Sequence, residues 1–431
     1  MKIAIAGYGL EGASSYRYYG ANSENEITIV DQRQPIQEIP EGVLTIIGED
    51  AFGNLDGFDM VIRTASLAPS QIKTDGKIWS STNEFFAQCP AQIIGVTGTK
   101  GKGTTASLIA KILKTAGKKV WLVGNIGIAA LDILEDIHSE DIVVFELSSF
   151  QLWDLERSPH VAVVLLIEPD HLNVHDDFDD YVRAKSNIRK YQKADDFCVF
   201  HPTNPYSRRI AEVSDQGTSE RYGVQADGGV YVKDQAFYQG EHKICSVSAL
   251  QLIGQHNVEN ACAAISVARA YKVSDRDIEM GLKEFHGLPH RIEFVREVGG
   301  VKYYNDSFSS APAATVAAIK SFTQPEIVIL GGIDKGADFT ELVDTITARN
   351  NVKAVIIIGE IRVKLAGLLR AQHVSNVETT DLKTLQPIVE LARTQAKEGD
   401  IIVLSPGCAS FDMFKDFYDR GDQFRTIIKN L

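Results

Sequence analysis

Short runs of β-branched and aliphatic residues alternate with helix-length segments along the whole chain, and the alternation occurs three times. KIAIAG, EITIVD, LTIIG and MVIRTA form the first set; QIIGVTG, KVWLVG, IVVFELS and AVVLLIE the second; VKYYND, EIVILGG, KAVIIIGE and DIIVLSPG the third. Strands this uniformly apolar need cover on both faces, and helix-length connections return successive strands parallel. The pattern predicts an α/β protein with parallel sheets in three domains, at 1–90, 91–290 and 291–431. A chain of 431 residues is also longer than one core usually serves. GGVYVKDQAFYQGEHKICSV interrupts the second set with antiparallel alternation, and FHGLPHRIEF reads as a hinge before the third.

Ligands of open α/β sheets gather at the carboxyl ends of strands. Two such ends carry glycine-rich turns. Gly7-Tyr8-Gly9-Leu10-Glu11-Gly12 follows the first strand, and Asp31 ends the second. Those letters fit a dinucleotide fingerprint, but a second nucleotide-type loop disfavours NAD-linked redox chemistry. That loop is Gly95-Val96-Thr97-Gly98-Thr99-Lys100-Gly101-Lys102-Gly103-Thr104, between a strand and a helix. Its glycines let successive N–H groups close around phosphate oxygens, and the helix adds a positive end. Lys102 can reach the outer phosphates. The common G-x-x-x-x-G-K-[ST] pattern fails twice: the leading glycine is misplaced, and Gly103 stands where a hydroxyl residue belongs. A merely tight turn would leave Lys102 and the Thr104-Thr105 pair unexplained. Two phosphate sites in one chain point to a nucleoside-diphosphate ligand plus ATP.

Other charged residues are ambiguous from pattern. Glu146 ends a strand and suits either a metal or a helix start. His171 and His175 in IEPDHLNVHDDF have H-x-x-x-H spacing without a third zinc ligand. Mg²⁺ with His171 and carboxylates suits an ATP enzyme better. Lys185 in FDDYVRAKSNIRKY reads as a solvated lysine on a helix. The formal charge of −13 argues against a nucleic-acid surface but leaves room for a local positive pocket. None of the five cysteines makes a C-x-x-C pair, so zinc and redox sites gain no support. MKIAIAGYGLEG reads as a strand and turn rather than a leader, and no run of 18 apolar residues occurs. A cytoplasmic monomer with no membrane or nucleic-acid partner is expected.

GTKGKGTT, VGNIG, ELSSFQL, DHLNVH, YVRAKSNI, GQHNVENACAA, GLPHRIEFV, YYNDS, GGIDKGADF and SPGCASFDMFKDFYDRG together resemble the Mur ligase family throughout the chain. GGIDKGADF and the SPGCASF segment are most similar to its D-glutamate-adding branch. The resemblance implies a Rossmann-like N-terminal domain, a P-loop ATPase-like central domain and a Rossmann-like C-terminal domain. It also implies peptidoglycan precursor synthesis: ATP would phosphorylate the carboxylate of UDP-N-acetylmuramoyl-L-alanine, and the amine of D-glutamate would attack the acyl phosphate.

By the same resemblance, Gly98, Thr99, Lys100, Gly101, Lys102, Gly103 and Thr104 would hold ATP phosphates. Asn257 and Asn260 would lie near adenine and ATP, with Arg291 and Asp306 completing the ATP site. Thr104, Glu146, His171 and Lys185 would serve two Mg²⁺ ions, Lys185 as a carbamate made from CO₂. Lys102, His171 and Lys185 would carry the catalysis. Gly9, Leu10, Asp31, Gln32, Asn125 and Ser148 would contact the UDP substrate, and Lys335, Ser410 and Phe417 the D-glutamate.

Three departures stand out. The branch usually reads NDSKATN where this chain has Asn305-Asp306-Ser307-Phe308-Ser309-Ser310-Ala311, so Phe308 replaces a cation. Gly103 replaces a hydroxyl residue, which Thr104 can supply one position later, much as folylpolyglutamate synthetases read. SLAPS at 66–70 replaces a common SPG-type turn, so a remodelled uridine pocket is expected. The alternatives are a related Mur-type or folylpolyglutamate-synthetase-like ligase with another amino acid or precursor, and a non-catalytic nucleotide-binding protein. Lys102, Glu146, His171 and Lys185 occurring together disfavours the last.

Overall fold

The structure is a computed structural model that describes residues 1–35, 37–125, 128–225 and 228–431. The chain forms two compact units: Met1–Leu250 with Gln255–Phe285, and Gln251–Gly254 with His286–Leu431.

The first unit opens with β1 (Lys2–Ala6), β2 (Glu26–Asp31), β3 (Leu44–Ile47), β4 (Met60–Arg63) and β5 (Lys77–Ser80). They form a parallel sheet in the order β3-β2-β1-β4-β5. β6 (Gln92–Thr97), β7 (Val120–Gly124), β8 (Ile142–Glu146), β9 (Val161–Val164), β10 (Phe197–Phe200) and β11 (Thr218–Arg221) form a second parallel sheet, ordered β11-β10-β9-β6-β8-β7. β8 and β9 are buried from end to end, and β6 from Ile93 onward, as residues covered on both faces must be. β12 (Val230–Lys233), β13 (Ala236–Gln239) and β14 (His242–Ser246) make the antiparallel meander expected from sequence.

The second unit holds β15 (Glu293–Val298), β16 (Val301–Asn305), β17 (Glu326–Gly331), β18 (Val352–Ile358), β19 (Val377–Thr379) and β20 (Ile401–Leu404). The sheet order is β15-β16-β20-β17-β18-β19, parallel except for the β15–β16 pair. Separate apolar clusters cover its two faces.

Local chemistry fixes where the site-bearing helices begin. The Asp177 carboxylate accepts from the Asp180 N–H at 2.7 Å and starts helix Phe178–Lys190. Ser148 and Gln151 cap helix Ser149–Leu152 reciprocally: the Ser148 hydroxyl accepts from the Gln151 N–H, and the Gln151 amide oxygen accepts from the Ser148 N–H. Such caps contribute about 1 kcal/mol each. Strand register pairs Val96 on β6 and Gly124 on β7 with Glu146 on β8, so three strand ends meet at that carboxylate. No helix of the described residues is long and apolar enough to cross a membrane.

Candidate active site

The phosphate-type loop leaves β6 at Thr97 and enters helix Lys102–Thr115, with Gly101 as its N-cap. Gly101 has φ +84°, and a Cβ there would lie 2.5 Å from Asn260 Oδ1. Both the backbone and the neighbour therefore require glycine. The Asn260 amide in turn donates to Asn257 Oδ1 at 3.1 Å. Asn260, separated from the loop by more than 150 positions in sequence, thus lies against it, with Asn257 bonded behind it. Lys102 Nζ donates to the carbonyls of Gly98 and Thr99 at 3.2 and 3.0 Å, and Thr104 is buried in the first helical turn.

Lys185 departs from the solvated reading: its side chain is only 1% exposed. It lies on the inner face of helix Phe178–Lys190 with Tyr181, Val182 and Ile188, and its Nζ is 4.7 Å from the Tyr181 ring centroid. The amine donates to Thr97 Oγ1 at 3.2 Å and to the Gly98 carbonyl at 3.0 Å. Burial first, and the nearby Lys102 charge second, push its pKa well below the usual lysine value, while Asp170 and Glu146 oppose the shift. Tyr181, which sequence reading missed, also meets Thr99 Oγ1 at 3.0 Å and so ties that helix to the loop. Its i, i+4 spacing from Lys185 was the available signal.

Glu146 is the last residue of β8, not the start of a helix, and is buried. His171 takes φ +55°, with its backbone N–H on Asp170 Oδ1 at 2.9 Å. Its pKa is lowered by burial and by Lys102, Lys185 and His175, against the pull of Asp170. A neutral imidazole is the form that can ligate a metal. His175 does not share a metal cluster with it; its ring nitrogens meet Asp180 and Ser149. Among the described residues, no group of three or more His, Cys, Asp or Glu is placed to hold a metal. The donor set fits Mg²⁺ only in part. Glu146 and Thr104 offer hard oxygen, while the lysine needs conversion to an anion before it can contribute. Mg²⁺ is usually held by one or two carboxylates plus substrate phosphates, which matches so sparse a set.

A cavity of about 800 Å³ opens beside these groups within the first unit. Gly9, Leu10, Asp31, Gln32, Asn125 and Ser148 all line it, as do Phe150 and the SLAPS residues Ser66, Leu67, Ala68 and Ser70. Asp31 braces the glycine turn, its carboxylate accepting from the Tyr8 N–H at 2.8 Å. The SLAPS turn is held from two sides. Glu11 Oε2 accepts from the Ala65 N–H at 2.7 Å, and fully buried Arg63 donates to the carbonyls of Thr64 and Leu67 at 3.3 Å. Arg63 also pairs with Asp154 and donates to the Phe150 carbonyl, which locks the cavity wall. Arg63 is the wholly buried member of the pair, so removing Asp154 would leave a buried charge without its counter-ion. Arg63 belongs to no motif singled out from sequence, and Glu11, though inside the glycine turn, is given no role there.

In the second unit, Asp306 follows β16, Lys335 follows β17 and Ser410 follows β20, while Arg291 and Phe417 both meet Phe308, two residues past Asp306. Asp306 is 2% exposed; burial lifts its pKa to about 6, despite hydrogen bonds from Ser309, Ser405 and Ile292 and the charge of Arg291. Phe308 fills the lysine position with an aromatic shelf. The Arg291 guanidinium lies 4.4 Å from its centroid, and the Phe417 ring meets it edge-on at 5.1 Å. Lys335 Nζ lies 5.3 Å from the ring of Phe411, the neighbour of buried Ser410. Arg420, unrecognised from sequence, is buried and ties Ser307 to the Cys408 carbonyl. Desolvation lowers its pKa to about 10.

A phosphate-type loop at one sheet and a second Rossmann-like unit define an ATP-dependent ligase architecture. Residues 96–268 match the Mur ligase middle domain and residues 290–408 the Mur ligase glutamate ligase domain, and the chain belongs to the Mur ligase family. ATP and Mg²⁺ use is typical of that family. Among its relatives, UDP-N-acetylmuramoylalanine--D-glutamate ligase of Clostridium tetani is 35% identical, covering 100% of this chain and 97% of the relative. The enzyme so named from Clostridium perfringens is 37% identical over 90% of this chain and 87% of its own length. Solved structures support the fold. UDP-N-acetylmuramate-alanine ligase from Thermotoga maritima superposes with TM-score 0.62 at 16% identity, covering 100% of this chain and 99% of that one. Folylpolyglutamate synthase from the same organism also gives 0.62 at 16% identity, covering 81% and 93%.

Proposed function

We propose that this chain joins D-glutamate to UDP-N-acetylmuramoyl-L-alanine at the expense of ATP. The observation that carries the reading is sequence identity with D-glutamate ligases along the entire chain. The two phosphate-type turns and the cavity beside them supply the geometry such a reaction needs.

A carboxylate is a poor electrophile. One of its oxygens attacks the γ-phosphorus of ATP, the bond to the ADP oxygen breaks, and an acyl phosphate results. The D-glutamate nitrogen then attacks the acyl carbon, the C–O bond to phosphate breaks, and the amine loses a proton. Throughout, the Lys102 ammonium and the N–H groups of Gly101–Thr104 offset phosphate charge. Thr104, Glu146 and His171 would hold Mg²⁺, which when bound supplies charge neutralisation at the transferring phosphoryl group.

Lys185 would act as a carbamate. Burial lowers its pKa and so favours the neutral amine, whose nitrogen lone pair can add to the carbon of CO₂ with loss of a proton, placing an anion beside Glu146 and His171. Its low pKa and its place against the loop carbonyls support this reading. Lys335, Ser410 and Phe417 would hold D-glutamate, the lysine pairing with the side-chain carboxylate.

The test is phosphate release with UDP-N-acetylmuramoyl-L-alanine and a panel of D- and L-amino acids. Release should depend on D-glutamate and be much slower with L-glutamate. Phe308 makes the panel discriminating, because an aromatic shelf replaces a cation near the expected amino-acid site. Faster turnover of a neutral D-amino acid would overturn the D-glutamate assignment while leaving a Mur-type ligase.

A further inference from the structure

We infer that His175 is a positioning residue of the ligase reaction: it holds the cavity-lining turn Ser148–Phe150 in register with the helix that carries Lys185. The inference rests on the reading above and assigns a role to a histidine that neither the phosphate loop nor the expected metal set uses.

His175 is 3% exposed and makes two side-chain hydrogen bonds. Nδ1 lies 2.8 Å from Asp180 Oδ2, and Nε2 lies 3.0 Å from Ser149 Oγ. An ionised carboxylate only accepts, so the ring proton is on Nδ1 and Nε2 accepts from the serine hydroxyl. Asp180 is kept ionised: burial would raise its pKa, but bonds from His175, Trp153 and Arg183 hold it below the usual value. The ring is also fixed sideways. Phe150 stacks on it at 5.6 Å and 14°, Trp153 lies at 4.6 Å, and Tyr181 meets it edge-on at 5.3 Å.

Ser149, His175 and Asp180 have the order of a hydrolytic relay. Ser149 is only 2% exposed, however, so no acyl group can approach its oxygen. The arrangement acts instead through its neighbours. Ser148, adjacent to Ser149, lines the cavity and caps the short helix. Phe150 lines the same cavity and contacts His171 at 4.9 Å on one side while stacking on His175. Tyr181, on the other flank, holds Thr99 of the phosphate loop and underlies Lys185. One imidazole therefore touches side chains leading to the substrate cavity, to His171 and to Lys185. Loss of it should loosen the cavity wall most, because Ser149 and Phe150 lose both a hydrogen bond and a stacking partner.

The test compares steady-state kinetics of His175→Ala, His175→Gln, His175→Asn and Ser149→Ala, varying each reactant in turn. Glutamine reaches the place of Nε2 and can restore the Ser149 contact; asparagine reaches only the place of Nδ1. His175→Ala should lower kcat about 10-fold and raise KM for UDP-N-acetylmuramoyl-L-alanine about 10-fold, with KM for D-glutamate within about twofold, the scale of a sub-ångström misplacement. His175→Gln and not His175→Asn should recover the nucleotide KM, and Ser149→Ala should reproduce its rise. If His175→Ala does not fold, His175→Gln, His175→Asn and Ser149→Ala still carry the comparison. Activity lost only in proportion to the folded fraction, with every KM unchanged, overturns the inference. ¹⁵N NMR of the histidine rings reads the same contact without turnover, and so remains decisive if wild type does not ligate D-glutamate. A proton on Nδ1, with a Nε2 resonance that Ser149→Ala shifts, is expected; a protonated Nε2 overturns the inference.

Discussion

Asp306→Asn should stabilise the second unit and impair the enzyme. The Asp306 carboxylate is almost wholly buried, accepting from Ser405 Oγ at 2.6 Å and from the Ile292 N–H at 3.1 Å. Those bonds and the Arg291 charge do not offset desolvation, and the pKa rises from 3.8 to about 6. The difference is 6 − 3.8 = 2.2 units, or about 3 kcal/mol at 1.36 kcal/mol per unit. The sign follows from linkage. Below pH 3.8 the group is protonated in both folded and unfolded chains and contributes no difference. As pH rises towards 6 the unfolded chain ionises first, so stability falls; above 6 both are ionised and the deficit is constant. Asparagine never ionises, so the variant should match wild type near pH 4 and exceed it by up to about 3 kcal/mol at pH 7.5.

The assay must read the right unit. Trp79, Trp121 and Trp153 all lie in the first, so tryptophan fluorescence does not report on the second. Amide hydrogen exchange of β16 and β20 does, and 3 kcal/mol corresponds to protection about two orders of magnitude greater. Phosphate release should meanwhile fall by at least ~10-fold if the charge serves the nucleotide site. Protection in the variant that is equal to or below wild type at pH 7.5, or that tracks wild type across pH 4–7, refutes the electrostatic reasoning. Full activity refutes the reason for keeping a costly buried charge.

Lys102→Ala should cut turnover by at least ~10²-fold in a folded protein, as loss of an electrostatic contact to transferring phosphate does; near-normal phosphate release removes that role. Lys185→Ala should be nearly inactive and partly rescued by short carboxylates, and ¹³CO₂-labelled wild type should give a carbamate resonance that the variant lacks. Glu326, at the start of β17, is fully buried, and desolvation lifts its pKa from 4.5 to about 8 against Arg349 and Asn351. Stability should therefore fall as pH rises from 4.5 through 8, and Glu326→Gln should gain up to about 4–5 kcal/mol above pH 8; an equal pH slope in β17 hydrogen exchange for both proteins counts against it.

Most of the β-branched strands were legible because they are buried and carry no competing pattern, whereas LTII of β3 is exposed along its whole length and was legible from its β-branched residues alone. KIWS of β5 and FCVF of β10 escaped notice, being four residues each with aromatic residues among few β-branched ones. EFVREV of β15 was missed for another reason: it is an antiparallel edge strand whose charged residues interrupt the apolar run. The phosphate loop was legible from its strand–glycine–helix context. Lys185 was not, although its neighbours held the signal. Tyr181, Val182 and Ile188 mark the inward face of the helix, and position 185 lies on it. Reading a lysine as solvated by default ignored that periodicity. Glu11 and Arg63 were illegible for a deeper reason, since their partners are separated from them by dozens of positions and only the folded chain brings them together.

A chain of formal charge −13 that handles phosphates and carboxylates must supply positive potential locally. The first unit does this largely with backbone. Gly98 and Gly101 adopt φ +159° and +84°, which turn the loop into the N-terminus of helix Lys102–Thr115. Gly9 likewise precedes helix Leu10–Gly20 at the cavity of the first unit. Backbone dipoles of this kind carry no net charge and are invisible to composition. Gly103 fits the same scheme: a residue without a side chain keeps its N–H in the first turn of the helix and lacks only a hydroxyl, which Thr104 can supply from the same turn. Phe308 is a different matter, because an ammonium has no backbone substitute. There the ring instead supports the Arg291 guanidinium, so a cation is retained at the loop, carried by another residue and held by stacking.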